Sequence, residues 1–205
     1  MEDRPVRTAT GADEVRARIL DAAEQRFRRV GHYRTSVADI AAELGMSPAN
    51  IYRFFPSRDA INESICGRVV DEVAEIASAI ARAEAPAKQK LDQLLTAVHQ
   101  HNKMMLVNAR PMHELIVVAT PRNWPIIQAH TERMVTIFER IIREGIETGE
   151  FDVEDAAEAA RAVRSAFMPF LHPILIEHCA RHRENIEAGL RGQIRFILKS
   201  LSKSG

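Results

Sequence analysis

The sequence predicts an all-α protein of about nine helices. Alanine, leucine, isoleucine, glutamate and arginine dominate it, and strand-type alternation of polar and apolar residues is nearly absent. Glycine and proline, nine of each in 205 residues, are too few for a loop-rich fold. With 46% hydrophobic and 27% charged residues, the chain can bury a sizeable core, either as one domain or as a small domain joined to a larger one.

Taken in order, residues 1–12 lack apolar periodicity and read as a disordered tail. Helical pattern starts near Asp13, where Val15, Ile19, Ala22, Ala23 and Phe27 follow one face, and Gly31 supplies a C-terminal stop. Thr35 or Ser36 caps a short second helix carrying Val37, Ile40, Ala41 and Leu44, which Gly45 ends. Ser47-Pro48 opens a third: the hydroxyl accepts a free backbone N–H, and proline at the first helical position has none to waste. Pro56 stops it and Ser57 caps the next, expected to run to about Glu84. Further helices are expected over about 87–108, 111–119, 125–148 and from 152 to a break or kink at Pro169 and Pro173, with a last one over about 183–202.

The formal net charge is zero, which argues against a protein that coats nucleic acid but leaves room for a local basic surface. Between Arg16 and Arg34 lie six arginines against Asp21 and Glu24, so the N-terminal part is basic on a neutral whole. Cys66 and Cys179 are far apart and in no metal-type spacing. With no signal peptide and no apolar run near 18 residues, the reading is a cytoplasmic protein with reduced thiols and no membrane partner.

Residues 36–55 form two short helices joined by Leu44-Gly45-Met46-Ser47, a helix-turn-helix pattern. In the third helix Ile51, Phe54 and Phe55 share a buried face, which leaves Ala49, Asn50 and Arg53 opposite, with Tyr52 at their flank. Arginine can bond guanine and asparagine adenine, both bidentately, in a major groove. Thr35, Ser36, Ser47, Ser57 and Arg58 sit at or near helix starts, where hydroxyls, free N–H groups and dipoles favour phosphate. Each position also has a plainer role: Tyr52 as a lid on the core, Arg53 in an ion pair, Asn50 as a helix-start residue. For Arg26, Arg28 and Arg29 a solvated face is preferred over a phosphate clamp, and for Arg4 and Arg7 a loose tail over a minor-groove arm.

The run from Thr35 to Ile61, TSVADIAAELGMSPANIYRFFPSRDAI, resembles the DNA-binding domain of TetR-type transcriptional regulators. Their pattern is roughly T-T-x-x-x-I-A-x-x-A-G-V-S-x-G-x-I-Y-x-H-F-x-S-K-E-x-L. The resemblance covers residues 13–61 well and the remainder in helix count and layout. It implies a dimeric, ligand-responsive repressor, with phosphate contacts near Thr35, Ser36, Tyr52 and Arg58. Departures are Pro48-Ala49-Asn50 in the turn into the third helix, Phe54 where histidine is common, and Arg58 for lysine. Phe54 is accordingly assigned to the core. The resulting organisation is a DNA-binding domain over 13–60 and a sensing and dimerisation domain over 61–205.

A head of this kind reads few base pairs, so a homodimer on a palindromic duplex operator is expected, its half-sites roughly 34–36 Å apart. Ala156, Ala160 and Val163, with Ile186, Leu190, Ile194 and Ile197, are the candidate dimer stripe; the competing role is the chain's own core. Met104, Met105, Met112, His113, Trp124, Phe138, Phe167 and Met168 are the candidate lining of a small-molecule pocket, since methionine adapts to irregular apolar shapes. No cofactor is expected. His178, Cys179 and His182 are near enough in sequence to suggest a metal-responsive regulator of the same fold, but no tight ligand motif occurs. An enzyme is disfavoured, because no G-x-S-x-G, phosphate-binding loop or dinucleotide-type glycine run is present. A helical interaction module without DNA binding is disfavoured by Tyr52, Arg53 and Arg58.

Overall fold

The computed structural model describes residues 11–108, 110–119, 124–181 and 186–202. Among them are ten helices and no strand: α1 (Gly11–Val30), α2 (Val37–Glu43), α3 (Pro48–Tyr52), α4 (Arg58–Arg82), α5 (Ala87–Asn108), α6 (Arg110–Ala119), α7 (Pro125–Glu147), α8 (Ala156–Leu171), α9 (Pro173–Arg181) and α10 (Ile186–Leu201). The all-α expectation therefore holds. The expected tail falls mostly outside the described residues, and its last two members, Gly11 and Ala12, belong to α1.

The additional helix arises at the prolines. Pro169 lies inside α8 and does not end it. The stop comes at His172, whose backbone is extended, and Pro173 then takes the first position of α9, where its missing N–H is no loss. The last turn of α8 is secured from outside. Asn102 Nδ2 of α5 donates to the Leu171 carbonyl at 2.9 Å, and His99 Nδ1 lies 3.0 Å from the Phe170 carbonyl. These are two of the four carbonyls that any helix leaves without an internal partner at its end.

The chain divides into two compact units, Met1–Cys66 and Gly67–Gly205, with the boundary inside α4. In the first unit Ile19, Ala23 and Phe27 of α1, Val37, Ile40 and Ala41 of α2, and Ile51 of α3 bury one another with Phe55, Ile61 and Ile65. A capping box starts α2: Ser36 Oγ accepts from the Asp39 N–H at 3.1 Å, and Asp39 Oδ2 accepts from the Ser36 N–H at 2.8 Å. The Ser36 hydroxyl, which donates to Asp39 Oδ2 at 2.7 Å, and the Ser36 N–H hold the Asp39 carboxyl below its ordinary value. Gly45, at φ 64°, turns α2 into α3 in the left-handed region that a Cβ disfavours.

The second unit is built round a core from α4, α5, α7, α8 and α10, including Leu91, Leu94, Leu95, Phe138, Ile141 and Phe167. The corner between α7 and α8 is set by a close approach at Gly145. A Cβ added there would lie 2.1 Å from Phe151 Cδ2, and Phe151 is buried. Gly145→Ala is therefore expected to destabilise the chain by about 1–3 kcal/mol through overpacking. Denaturant melts check this, and Phe151→Leu in the Gly145→Ala background should recover part of the loss. Glu150, at the same corner, accepts from the Ala87 and Lys88 N–H groups at 2.9 and 3.0 Å, which caps the start of α5.

Candidate nucleic-acid interface and ligand cavity

In the first unit the two sides of α3 are chemically opposite. Ile51 is fully buried, while Ala49, Tyr52 and Arg53 are exposed and Asn50 is half-buried. Tyr52 is 49% exposed, a large amount for an aromatic ring beside a packed core. Neither Tyr52 nor Arg53 has a side-chain hydrogen bond or ion pair among the described residues. The start of α3 is fixed by Ser47, whose hydroxyl accepts from the Asn50 N–H at 3.2 Å, and Ser57 does the same for the Ala60 N–H at 3.0 Å. The outcome is a short rigid helix presenting a phenol, a guanidinium, an amide and a methyl group to solvent.

Two expected phosphate-binding side chains have partners inside the head. Thr35 is 1% exposed, and its hydroxyl donates to the Gly31 carbonyl at 3.0 Å, closing the end of α1. Arg58 is half-buried, and its guanidinium donates to the His32 carbonyl. The Thr35 hydroxyl proton is thus spent inside the head, whereas the Arg58 guanidinium has further N–H groups besides the one given to His32. Ser36, next to Thr35, remains exposed.

The arginines of α1 serve the fold. Arg26 pairs with Asp39 at 3.5 Å and Glu43 at 3.1 Å, joining α1 to α2, and Arg28 pairs with Glu24 at 2.8 Å. Arg16 donates to the Phe54 carbonyl and lies 5.1 Å from the centre of the Phe55 ring. Arg28 is exposed, whereas Arg26 is half-buried in its pairs with α2. Arg4 and Arg7 lie outside the described residues.

The second unit contains a cavity of about 270 Å³ between α4, α5, α6, α7 and α8. Met105, His113 and Met168 of the expected lining border it. The other five do not. Met104 is 60% exposed, because it lies 100° round α5 from Met105. Met112, Phe138 and Phe167 are fully buried in packed core, and Trp124 precedes α7 without bordering the cavity.

Composition had pointed to soft and aromatic residues, yet beside His113 the polar part of the wall is His101, Asn102, His130, Thr131, Arg164 and His172. The available signal was positional: His101, His130 and Arg164 sit among the apolar stripes of their helices. Burial is the largest cause holding His113, His130 and His172 below the ordinary imidazole value, His130 down to about 4.

These histidines make stability depend on pH with a definite sign. In the folded chain His130 stays neutral down to about pH 4, whereas in the unfolded chain it titrates near 6.5. The unfolded state therefore binds more protons within that window, so stability is full above it and falls as pH drops through it. At pH 5, His130 alone accounts for about 2 kcal/mol, at ~1.4 kcal/mol per pH unit. Thermal melts should show the midpoint falling by about 4–8 °C between pH 7 and pH 5. Replacing His130 with glutamine should shrink that fall.

The expected dimer stripe is also corrected. Ala156, Ala160, Val163, Leu190, Ile194 and Ile197 belong to the chain's own core, and Ile186 is half-buried. The outward face of the same two helices carries Phe196, 65% exposed, beside a groove bordered by Ala159, Ala162 and Ala166 of α8. Of the suggested metal group, His178 is exposed, Cys179 half-buried, and His182 lies outside the described residues. Among the described residues no three His, Cys, Asp or Glu side chains come together as a metal site.

Two family models match the chain. Residues 19–65 match that of bacterial regulatory proteins of the tetR family, and residues 87–190 match the tetracyclin repressor-like C-terminal domain. The chain belongs to the TetR family. Among its relatives, the HTH-type transcriptional repressor Rv3405c of Mycobacterium tuberculosis is 30% identical over 109 residues, 52% of this chain and 54% of that protein. The chain thus spans about half the length of the first curated relatives it matches. The probable HTH-type transcriptional regulator ArpR of Pseudomonas putida is 27% identical over 169 residues, 75% of this chain and 78% of that one. In fold, the chain is similar to SmeT, the repressor of the Stenotrophomonas maltophilia multidrug efflux pump SmeDEF. The TM-score is 0.66 at 21% identity, covering 97% of this chain and 93% of SmeT. A complex of SmeT with triclosan gives 0.65 at 20% identity, covering 94% and 93%.

The family match places the TetR-type head over the buried and exposed faces of α1 to α3 described above, and the C-terminal domain over α5 to α9, which include every cavity-bordering helix but α4. Among the described residues no helix is long and apolar enough to cross a membrane.

Proposed function

We propose that this chain is a sequence-specific transcriptional regulator, a repressor that leaves its operator when a small molecule fills the second-unit cavity. The observation that carries the reading is the outward face of α3, where Tyr52, Arg53 and Asn50 stand free of the core that Ile51 anchors. Asn50 and Arg53 read base edges, Ala49 allows close approach, and Tyr52 with Ser36, Ser47 and Ser57 contacts phosphates. The division into a DNA-binding part to residue 60 and a sensing and dimerising part from 61 belongs to the same proposal. The reading is of a binder, not an enzyme.

The effector half of the proposal draws on the cavity and on the SmeT–triclosan complex, a protein of similar fold holding a small molecule. Val69, Val70 and Val73 border the cavity, and they lie on α4, the helix that starts at Arg58. A ligand favouring one arrangement of α4 shifts the population of head spacings in a homodimer, and so its affinity for paired half-sites. The dimer is assigned to the outward face of α8 and α10, around Phe196.

Selection from a pool of random duplexes tests the reading. The protein should enrich an inverted repeat whose half-sites lie one helical turn or a multiple apart, and binding should weaken steeply with salt. Recovery of unrelated sequences, or binding without salt dependence, would overturn it.

A further inference from the structure

The cavity contains one full charge that its own walls do not neutralise. Arg164 of α8 borders it, and the guanidinium's one hydrogen bond among the described residues runs from Nη2 to Thr131 Oγ1, a neutral acceptor, at 3.3 Å. No aspartate or glutamate is among the lining residues. Carboxylates around the cavity have partners of their own. Asp71 and Glu75 of α4 pair with Arg133, at 3.1 and 2.5 Å. Glu177 of α9 faces His113 at 3.5 Å and Arg110 at 3.8 Å, and Glu72 lies 3.9 Å from His101.

A half-buried guanidinium without a counter-ion is unusual, since charges taken out of water are ordinarily paired. Burial pushes Arg164 below its ordinary value and no carboxylate opposes it. Its charge is also felt by its neighbours, because it helps to hold both His130 and His172 in the neutral form. Neutral imidazoles supply N–H donors without a charge of their own. His130 Nδ1 is buried and has no hydrogen-bond partner among the described residues. The rest of the wall is aliphatic or thioether, with Val73, Val98, Ile127 and Met134 prominent. One cation, several neutral donors and an apolar remainder describe a receptor for a compact molecule with a single negative group.

Building on the effector reading above, we propose that the cavity binds a small organic monocarboxylate, its carboxylate on Arg164 and its hydrocarbon or aromatic body against the apolar wall. The fork of a guanidinium matches a carboxylate bidentately, which gives orientation as well as attraction. The size is limiting. At ~30 Å³ per water the cavity holds the equivalent of about nine waters, enough for a substituted benzoate and too little for a long acyl chain.

Three probes of one shape but different charge test this: 4-tert-butylbenzoate, 4-tert-butylbenzamide and 4-tert-butylbenzylamine, titrated into the full chain by calorimetry at pH 7. The benzoate is expected to bind at least about tenfold more tightly than the amide, the scale of one charge-assisted hydrogen bond, and the amine not at all. Arg164→Met should erase that preference while leaving amide affinity within about twofold, and Arg164→Lys, which keeps the charge, should retain part of it. Circular dichroism establishes that each variant is folded, and Arg164→Gln replaces Arg164→Met if the latter is not. Equal binding of amide and benzoate, a preference that survives loss of the charge, or no binding of any probe at millimolar concentration would overturn the proposal. Duplex selection with the same protein keeps the two readings apart. A selected operator without carboxylate preference sinks this inference alone, whereas carboxylate preference without a selected operator sinks the regulator.

Discussion

A chain carrying Tyr52→Ala and Arg53→Ala is expected to lose about two orders of magnitude or more of affinity for its selected duplex, with its thermal midpoint unchanged. Each half of that expectation has its own physical basis. Both side chains are exposed and neither is bonded within the described structure, so their removal leaves no buried group unpaired. A bidentate arginine–guanine pair alone discriminates by about 1–3 kcal/mol, up to roughly a hundredfold, and the phenol adds a phosphate contact. Gel-shift titrations on matched and scrambled duplexes measure the loss, and calorimetric melts the stability. Arg58→Ala is the informative contrast. It removes the guanidinium donor and leaves the His32 carbonyl to the Thr35 N–H at 3.3 Å, so it should lower the melting midpoint and reduce DNA binding only to the extent that the head unfolds. If Arg58→Ala weakened binding in a fully folded protein while the Tyr52/Arg53 pair did not, the assignment of readers on α3 would be wrong.

The second large effect is expected at Phe196. Phe196→Asp should convert a dimer to a monomer in sedimentation equilibrium at micromolar concentration, and duplex affinity should fall with it. A ring that is 65% exposed and flanked by a groove of small residues is the kind of aromatic anchor that dominates protein interfaces. Placing a carboxylate there would bury an unpaired charge on association, at several kcal/mol. Ile194→Ala should behave differently. Ile194 is 3% exposed in the core, so its truncation should cost about 2–5 kcal/mol of folding stability without a selective effect on association. A wild-type chain that is monomeric throughout, or a Phe196→Asp variant that still dimerises, would remove this face from the account.

Local rules made most of the fold legible before the coordinates. Ser36, Ser47, Pro48 and Gly45 act on backbone groups within four residues, so the helix-turn-helix could be read directly. Pro169 could not be placed in this way. A proline removes one N–H, but whether the helix ends depends on partners far away in sequence, and here Asn102 and His99 secure the last turn.

The head's chemistry was half legible for the same reason. The outward set Ala49, Asn50 and Arg53, with Tyr52 at its flank, follows from helical phase, whereas Thr35 and Arg58 resemble surface residues until their carbonyl partners are known. In the body, periodicity identified the apolar stripes of α8 and α10 but not which body they face. A stripe buried in its own chain and one buried in a second copy have the same pattern. The cavity was least legible, since Arg164 and His130 become neighbours only through the packing of α7 on α8.

The outside support of α8 has a dynamic meaning. Because Phe170 and Leu171 hand their carbonyls to His99 and Asn102, the end of α8 cannot open to solvent without disturbing α5. In hydrogen-exchange language the two segments form one cooperative opening unit, although some 70 residues of chain separate them. Asn102 also borders the cavity, so whatever fills that space acts on the opening equilibrium of both helices at once. Occupancy would then be registered as a slowing of exchange spread over two distant stretches of sequence, a form of communication that requires no displacement of either helix axis.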